Sequence, residues 1–87
     1  MKVSNFRPIT KGALRGFFTL TLPSGMVLHD CSLFEKDGKR WISPPSQKFT
    51  GKDGKTGYKP LVEFADRNTA DNFRRQVLQA IEAARLA

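Results

Sequence analysis

Apolar and polar residues alternate along much of this chain, and this period of two predicts β-strands. The clearest strand covers residues 17–22, where Phe18, Leu20 and Leu22 would face one side of a sheet and Phe17 the other. Shorter patterns predict further strands over residues 2–9, 26–34, 41–43 and 58–64. On the strand over 26–34, alternation places His29 and Cys31 on one face.

Turn residues separate these strands. Pro8 would end the first strand, and Pro23–Gly25 and Asp37–Gly38 predict tight turns. Residues 47–57 are rich in Gly and Lys, and they predict either a loop or a flexible hairpin with Asp53–Gly54 as its turn.

A helix is predicted over residues 68–86, because one apolar stripe recurs at helical spacing there. Asn68 is the expected N-cap, and the negative charge of Asp71 suits a helix N-terminus. The stripe comprises Ala70, Phe73, Val77, Ala80, Ile81 and Ala84. We therefore predict an α+β fold in one domain, residues 1–87: an antiparallel, twisted sheet of four to five strands within residues 1–64, followed by one C-terminal helix.

The apolar stripe of the helix is larger than a small sheet needs to cover. We therefore predict a homodimer whose two-fold interface is formed by Phe73, Val77, Ile81 and Ala84.

The chain has 87 residues and a net charge of +7. Residues 36–59 contain seven Lys or Arg and two Asp, so most of the excess lies in the centre of the chain. A localised basic excess indicates a polyanionic partner. The polar face of the helix is balanced in charge, which makes a membrane surface the weaker interpretation. The single Cys, the lack of a long apolar run and the polar N-terminus indicate the cytoplasm.

The stretch over residues 40–59 interleaves aromatic rings with cations, as binders of unstacked nucleic acid do. Its candidate binding residues, together with two from the first predicted strands, are Arg15, Phe17, Arg40, Trp41, Lys48, Phe49, Lys52, Lys55, Tyr58 and Lys59. Three alternatives stay open at this point. The stretch could be a solvated loop anchored by its rings, Trp41 could belong to the core, and Phe17 could pack in a dimer.

Catalytic and metal chemistry have little support. His29 and Cys31 lack an oxyanion hole or an orienting group, so a buried thiol is the expected role of Cys31. One Cys and one His make a zinc site improbable. The Gly-Lys stretches do not open a helix, as a phosphate-binding Walker loop would. We expect no enzyme, no cofactor and no small-molecule substrate.

Three short motifs resemble the stage V sporulation protein G family over residues 17–86. They are Val27-Leu28-His29-Asp30-Cys31, Trp41-Ile42-Ser43-Pro44-Pro45-Ser46-Gln47-Lys48 and Asp53-Gly54-Lys55. The resemblance implies a small homodimeric regulator that binds nucleic acid. The basic pair of that family falls here on Gln47 and Lys48, so only Lys48 matches.

The order of elements and the basic, aromatic chemistry are also similar to the transcriptional positive coactivator family of single-stranded-DNA binders. That likeness implies a dimer formed through the helix and a sheet that presents its side chains to DNA. From residues and resemblances together we predict a homodimeric single-stranded-DNA-binding protein of replication, recombination or transcription. The alternatives are a regulator that reads duplex DNA or RNA, and a module whose basic loop docks on an acidic protein.

Overall fold

The computed structural model describes residues 1–85 and confirms an α+β fold with a C-terminal helix. A four-stranded antiparallel sheet has the order β1-β2-β3-β4, and a separate two-stranded sheet contains β5 and β6. The elements are β1 (Lys2–Lys11), β2 (Leu14–Thr21), β3 (Val27–Lys36), β4 (Lys39–Ser43), β5 (Ser46–Thr50), β6 (Thr56–Pro60) and α1 (Arg67–Ala83). The predicted single sheet of four to five strands is therefore four strands plus a hairpin.

Several predicted strand boundaries were wrong: β2, β3 and β4 include residues outside their predicted ranges, and β1 and β6 end at other residues than predicted. β1 continues past Pro8, which pairs with Gly16 on an edge strand, where a proline is tolerated. β6 ends at Pro60, so the strand predicted over residues 58–64 stops four residues early. The stretch between β6 and α1 is irregular and leads the chain back to the sheet.

The helix covers one face of the four-stranded sheet, and the core lies between them. Alternation along β2 puts Phe18 and Leu20 on this face, as predicted. The helix contacts the two outer strands of the sheet, β1 and β4. The buried apolar side chains are Phe18, Leu20, Cys31, Leu33, Ile42, Ala70, Val77 and Ile81.

The predicted dimer interface needs correction, because two of its four residues are used by this core. Val77 and Ile81 are completely buried against the chain's own sheet, so they offer no surface to a second copy. Phe73 is half-buried and contacts the ring of Phe64, with centroids 5.0 Å apart. Ala84 is exposed just beyond the end of the helix.

Asp66 is the N-cap of α1, two residues before the predicted Asn68. Its Oδ1 accepts a hydrogen bond of 2.7 Å from the backbone N–H of Thr69, one of the donors that a helix N-terminus leaves unpaired. This bond lowers the pKa of the Asp66 carboxyl below its ordinary value. The helix ends at Ala83, earlier than predicted, and residue 86 lies outside the described residues. Within residues 1–85, no helix is long and apolar enough to cross a membrane.

Register shifts interrupt the strand pairing on both sides of β2, and two of them, one on each side, are bulges beside the same part of that strand. The register of β1 shifts between Ser4 and Arg7, and the register between β2 and β3 shifts opposite Phe18 to Leu20. Asn5 and Asp30, which lie in these bulges, have positive φ angles of 52° and 59°. Asn and Asp tolerate this left-handed region better than most residues do.

The bulge at Asp30 overturns the predicted pairing of His29 with Cys31 on one face. A bulge adds a residue to one strand and changes which side chains point inward. Leu28 and Cys31 both pack on the core side, whereas His29 and Val27 are exposed. His29 and Cys31 therefore do not share a face.

Candidate nucleic-acid interface

The face of the sheet that the helix leaves uncovered carries three aromatic rings. Phe17 on β2, Phe34 on β3 and Trp41 on β4 each alternate with a buried core residue, so their side chains point to this open face. Phe34 and Trp41 are directly paired across the strands, and their rings are stacked with centroids 5.4 Å apart and planes at 6°. Because Trp41 is 41% exposed while Ile42 is 3% exposed, Trp41 belongs to the open face and not to the core.

A groove runs between this open face and the β5–β6 hairpin, and we call it the aromatic groove. Its volume of about 650 Å³ lies within the range of roughly 300–1,000 Å³ typical of pockets for small organic groups. The sheet contributes Phe17 and Phe34, and the hairpin contributes Lys48 and Tyr58. Predicted binding residues from distant parts of the chain thus meet in one place.

Hydroxyl groups supply much of the remaining polar surface of the aromatic groove. Ser32 and Ser43 are paired across β3 and β4, and Ser46 begins β5. A serine hydroxyl can both donate and accept a hydrogen bond. These groups can therefore satisfy the edges of different bases without selecting one.

The hairpin has two unlike faces, because residues paired across its strands share a face. Lys48 pairs with Tyr58, and both line the aromatic groove. Phe49 pairs with Gly57 on the opposite face, where its ring lies so close to the glycine that an added Cβ would be 2.7 Å from it. Lys59 shares this outer face. The structure therefore places Phe49 and Lys59 away from the groove that holds Tyr58.

The hairpin turn holds two of the predicted cations, Lys52 and Lys55, both exposed. Asp53 shapes the turn, since its Oδ1 accepts a hydrogen bond of 3.1 Å from the backbone N–H of Lys55. The N–H of Gly51 donates to the carbonyl of Lys55 at 2.8 Å and closes the turn. Both lysines can reach phosphates beyond the groove.

Two predicted arginines are held by other groups of the chain. The guanidinium of Arg15 donates to the carbonyl of Gly12 at 2.8 Å, which keeps it at the β1–β2 turn. Arg40 donates to Glu35 at 2.9 Å across β3 and β4, so a neighbouring carboxylate compensates its charge. Neither arginine lines the aromatic groove.

Sequence reasoning missed Phe34 and Arg7. Leu33 and Phe34 are adjacent apolar residues on β3, as Phe17 and Phe18 are on β2, and in each pair only one residue is buried. Such a pair in a strand indicates an apolar residue on each face, and this signal could have identified Phe34. Arg7 lies at the edge of the aromatic groove, with its guanidinium carbon 5.8 Å from the centroid of Phe17. It also forms an ion pair with Asp30.

Cys31 is unsuited to nucleophilic chemistry. Burial, and secondarily the charge of Asp30, raise the pKa of its thiol to about 11, so the thiol is protonated at neutral pH. Its sulfur lies 3.8 Å from the carbonyl of Leu28, within the core. Among residues 1–85, no three His, Cys, Asp or Glu side chains are grouped closely enough to hold a metal ion.

Comparison with known proteins identifies no relative. No protein family, no curated protein and no solved structure matches this chain.

Proposed function

We propose that this chain is a non-enzymatic protein that binds single-stranded DNA in the aromatic groove. The observation that carries the proposal is the convergence of rings and a cation from two sheets, Phe17 and Phe34 from one and Lys48 and Tyr58 from the other. Stacking on aromatic side chains and contact of cations with phosphates are the two interactions by which proteins bind unpaired nucleotides.

The chemistry of the groove favours single strands over duplex. A base can stack on Phe17 or Tyr58 only when its own face is exposed, and duplex bases are already stacked on their neighbours. Stacking accepts every base, and serine hydroxyls discriminate weakly. The proposed binding is therefore weakly sequence-specific, as suits a protein of replication, recombination or transcription.

A regulator that binds duplex DNA or RNA is the second candidate. It is favoured by the exposed lysines of the hairpin turn, Lys52 and Lys55, which can contact the phosphates of any nucleic acid. A docking module for an acidic protein is the third candidate. It is favoured by the outer face of the hairpin, where the half-exposed ring of Phe49 lies on the same side as Lys59.

We further propose that the protein acts as a homodimer. The support is the small size of the core, which leaves Met26 and Leu61 each 58% exposed. Its interface would include surface other than Val77 and Ile81, which the chain's own core occupies. Sedimentation at micromolar concentration tests this, since a mass near 9.8 kDa would refute the dimer.

The binding proposal is tested by titrating the protein with oligo(dT), a matched duplex, single-stranded RNA and heparin. Trp41 is the only tryptophan and is stacked on Phe34, a wall of the groove, so its fluorescence reports occupancy. The anisotropy of labelled oligo(dT) gives the affinity independently. Tight binding of oligo(dT) with weak binding of duplex and heparin is the expected result.

Other outcomes of this titration have definite meanings. Equal binding of duplex and heparin would indicate attraction by charge alone and refute the stacking site. Preference for RNA or duplex would favour the regulator, and binding of no polyanion would favour the protein-docking module.

A further inference from the structure

The Arg7–Asp30 ion pair lies where two grooves meet. Both residues line the aromatic groove, and both also line a second groove of about 620 Å³. This second groove, which we call the bulge groove, is completed by Asn5, Phe6, Thr19 and His29. The ion pair therefore separates the proposed base-stacking groove from a continuation of it along the sheet.

The two β-bulges bring this pair together. Asp30 lies in the bulge of β3, and Arg7 follows the bulge at Asn5 in β1; both bulges lie beside the same part of β2. Bulges redirect side chains, and they are frequent next to functional sites. A positive φ is uncommon for residues other than glycine. The chain adopts this conformation at both Asn5 and Asp30.

The Arg7–Asp30 ion pair can open at little cost in free energy. The side chains of Arg7 and Asp30 are 60% and 68% exposed, and ion pairs in such positions contribute little to stability. Arg7 nevertheless stays beside the groove, because its guanidinium lies near the face of Phe17. A phosphodiester offers oxygens that suit the planar guanidinium of arginine as well as a carboxylate does.

We propose that Arg7 is a phosphodiester contact of the single-strand site and that Asp30 is the anion which the phosphate displaces. A strand that extends from the aromatic groove into the bulge groove exchanges one partner of Arg7 for another. Asp30 thereby weakens binding for two reasons. The Arg7–Asp30 ion pair is lost when the strand binds, and the unpaired carboxylate of Asp30 then repels the phosphates of the strand. This inference rests on the proposed function and assigns two residues to it.

The test is the isosteric variant Asp30→Asn, measured by the anisotropy of labelled oligo(dT). Asparagine tolerates positive φ, so the bulge is preserved, and an unchanged melting temperature checks this. Affinity should rise about two- to fivefold, the worth of an exposed ion pair. The dependence of log affinity on log salt should steepen by up to about 0.7, because the site gains one net positive charge.

Arg7→Gln completes a double-mutant cycle. The substitution should weaken binding in both backgrounds. The reduction should be about two- to fivefold larger when residue 30 is already changed, because Arg7 then binds the phosphate without competition from a carboxylate. Equal reductions in both backgrounds would mean that the phosphate and Asp30 do not compete for Arg7, and would overturn the proposal.

Asp37→Asn is the matched control. Asp37 also has a positive φ, 53°, and is exposed, but it lies in the β3–β4 turn and lines neither groove. A gain equal to that of Asp30→Asn would reduce the effect to net charge and overturn the inference. Weaker or unchanged binding by Asp30→Asn would also overturn it, while leaving the proposed function in place. Failure of the wild type to bind oligo(dT) would refute the proposed function, and this inference with it.

Discussion

The two faces of the β5–β6 hairpin allow a direct test of where bases stack. Tyr58 lies beside Lys48 on the face that borders the aromatic groove, whereas Phe49 lies over Gly57 on the other face. Both rings are at least half exposed, at 67% for Tyr58 and 50% for Phe49. Tyr58→Ala and Phe49→Ala therefore remove similar groups from the same hairpin, on opposite sides.

The structure predicts different effects for these variants. Removing a ring that stacks on a base costs about 1–3 kcal/mol, so Tyr58→Ala should weaken oligo(dT) binding about 5- to 150-fold. Phe49→Ala removes a cross-strand interaction worth about 0.2–1 kcal/mol and acts only through the order of the hairpin. Its effect on binding should not exceed about fivefold. Neither change removes a cation, so the salt dependence should stay constant.

Anisotropy of labelled oligo(dT) and of a matched duplex, each at several salt concentrations, measures these effects. Thermal unfolding of each variant accompanies the titrations. A larger reduction for Phe49→Ala than for Tyr58→Ala would place the binding surface on the outer face and refute the groove. Parallel reductions on both ligands, together with lower stability, would mean that the rings only anchor the hairpin.

Three further changes test the cations, the helix cap and the core. Replacing Lys48, Lys52 and Lys55 together by Ala should flatten the dependence of log affinity on log salt by about two units, and an unchanged slope would exclude the hairpin from the site. The lowered pKa of Asp66 means that its charge stabilises the fold at neutral pH and that this contribution disappears as pH falls through the folded-state value. Asp66→Asn keeps a capping acceptor without the charge, so its deficit in melting temperature at neutral pH should disappear as pH falls below 3.8 and through the folded-state pKa of Asp66; a deficit that stays constant with pH would contradict this. Val77→Asp should unfold the chain, because it buries an unpaired charge, and a folded monomer by circular dichroism and sedimentation would contradict the core described above.

The sequence predicted those strands and the helix in which burial of one face makes apolar residues recur at regular spacing. Alternation identified the strand containing Phe18 and Leu20, and the apolar stripe identified the helix that contains Val77 and Ile81. The same stripe misled us about the dimer interface. Helical spacing indicates that a face is covered, but it does not distinguish the chain's own sheet from a second copy as the cover.

Backbone bulges explain why the sequence did not predict the faces of His29 and Cys31 or the position of Arg7. Strict alternation places His29 with Cys31, and the extra residue at Asp30 separates them. The pattern of apolar and polar residues does not predict these bulges, because the residues beside Asn5 and Asp30 are of types that also occur in regular strands. Arg7 was missed for the same reason, since its partner is 23 residues away and is aligned with it only by two register shifts.

The aromatic groove and the core lie on opposite faces of the four-stranded sheet. The core uses one face, with Leu33 and Ile42 buried, while the adjacent Phe34 and Trp41 stack on each other in the open. The base of the hairpin is closed just after β4, where the N–H of Leu61 donates to the carbonyl of Pro45 at 3.0 Å. A two-stranded hairpin is marginal alone, so a ligand held between it and the sheet would stabilise it. Substitutions in the groove should then change affinity with little effect on folding. Weaker binding with unchanged stability would therefore indicate the loss of a contact with the ligand.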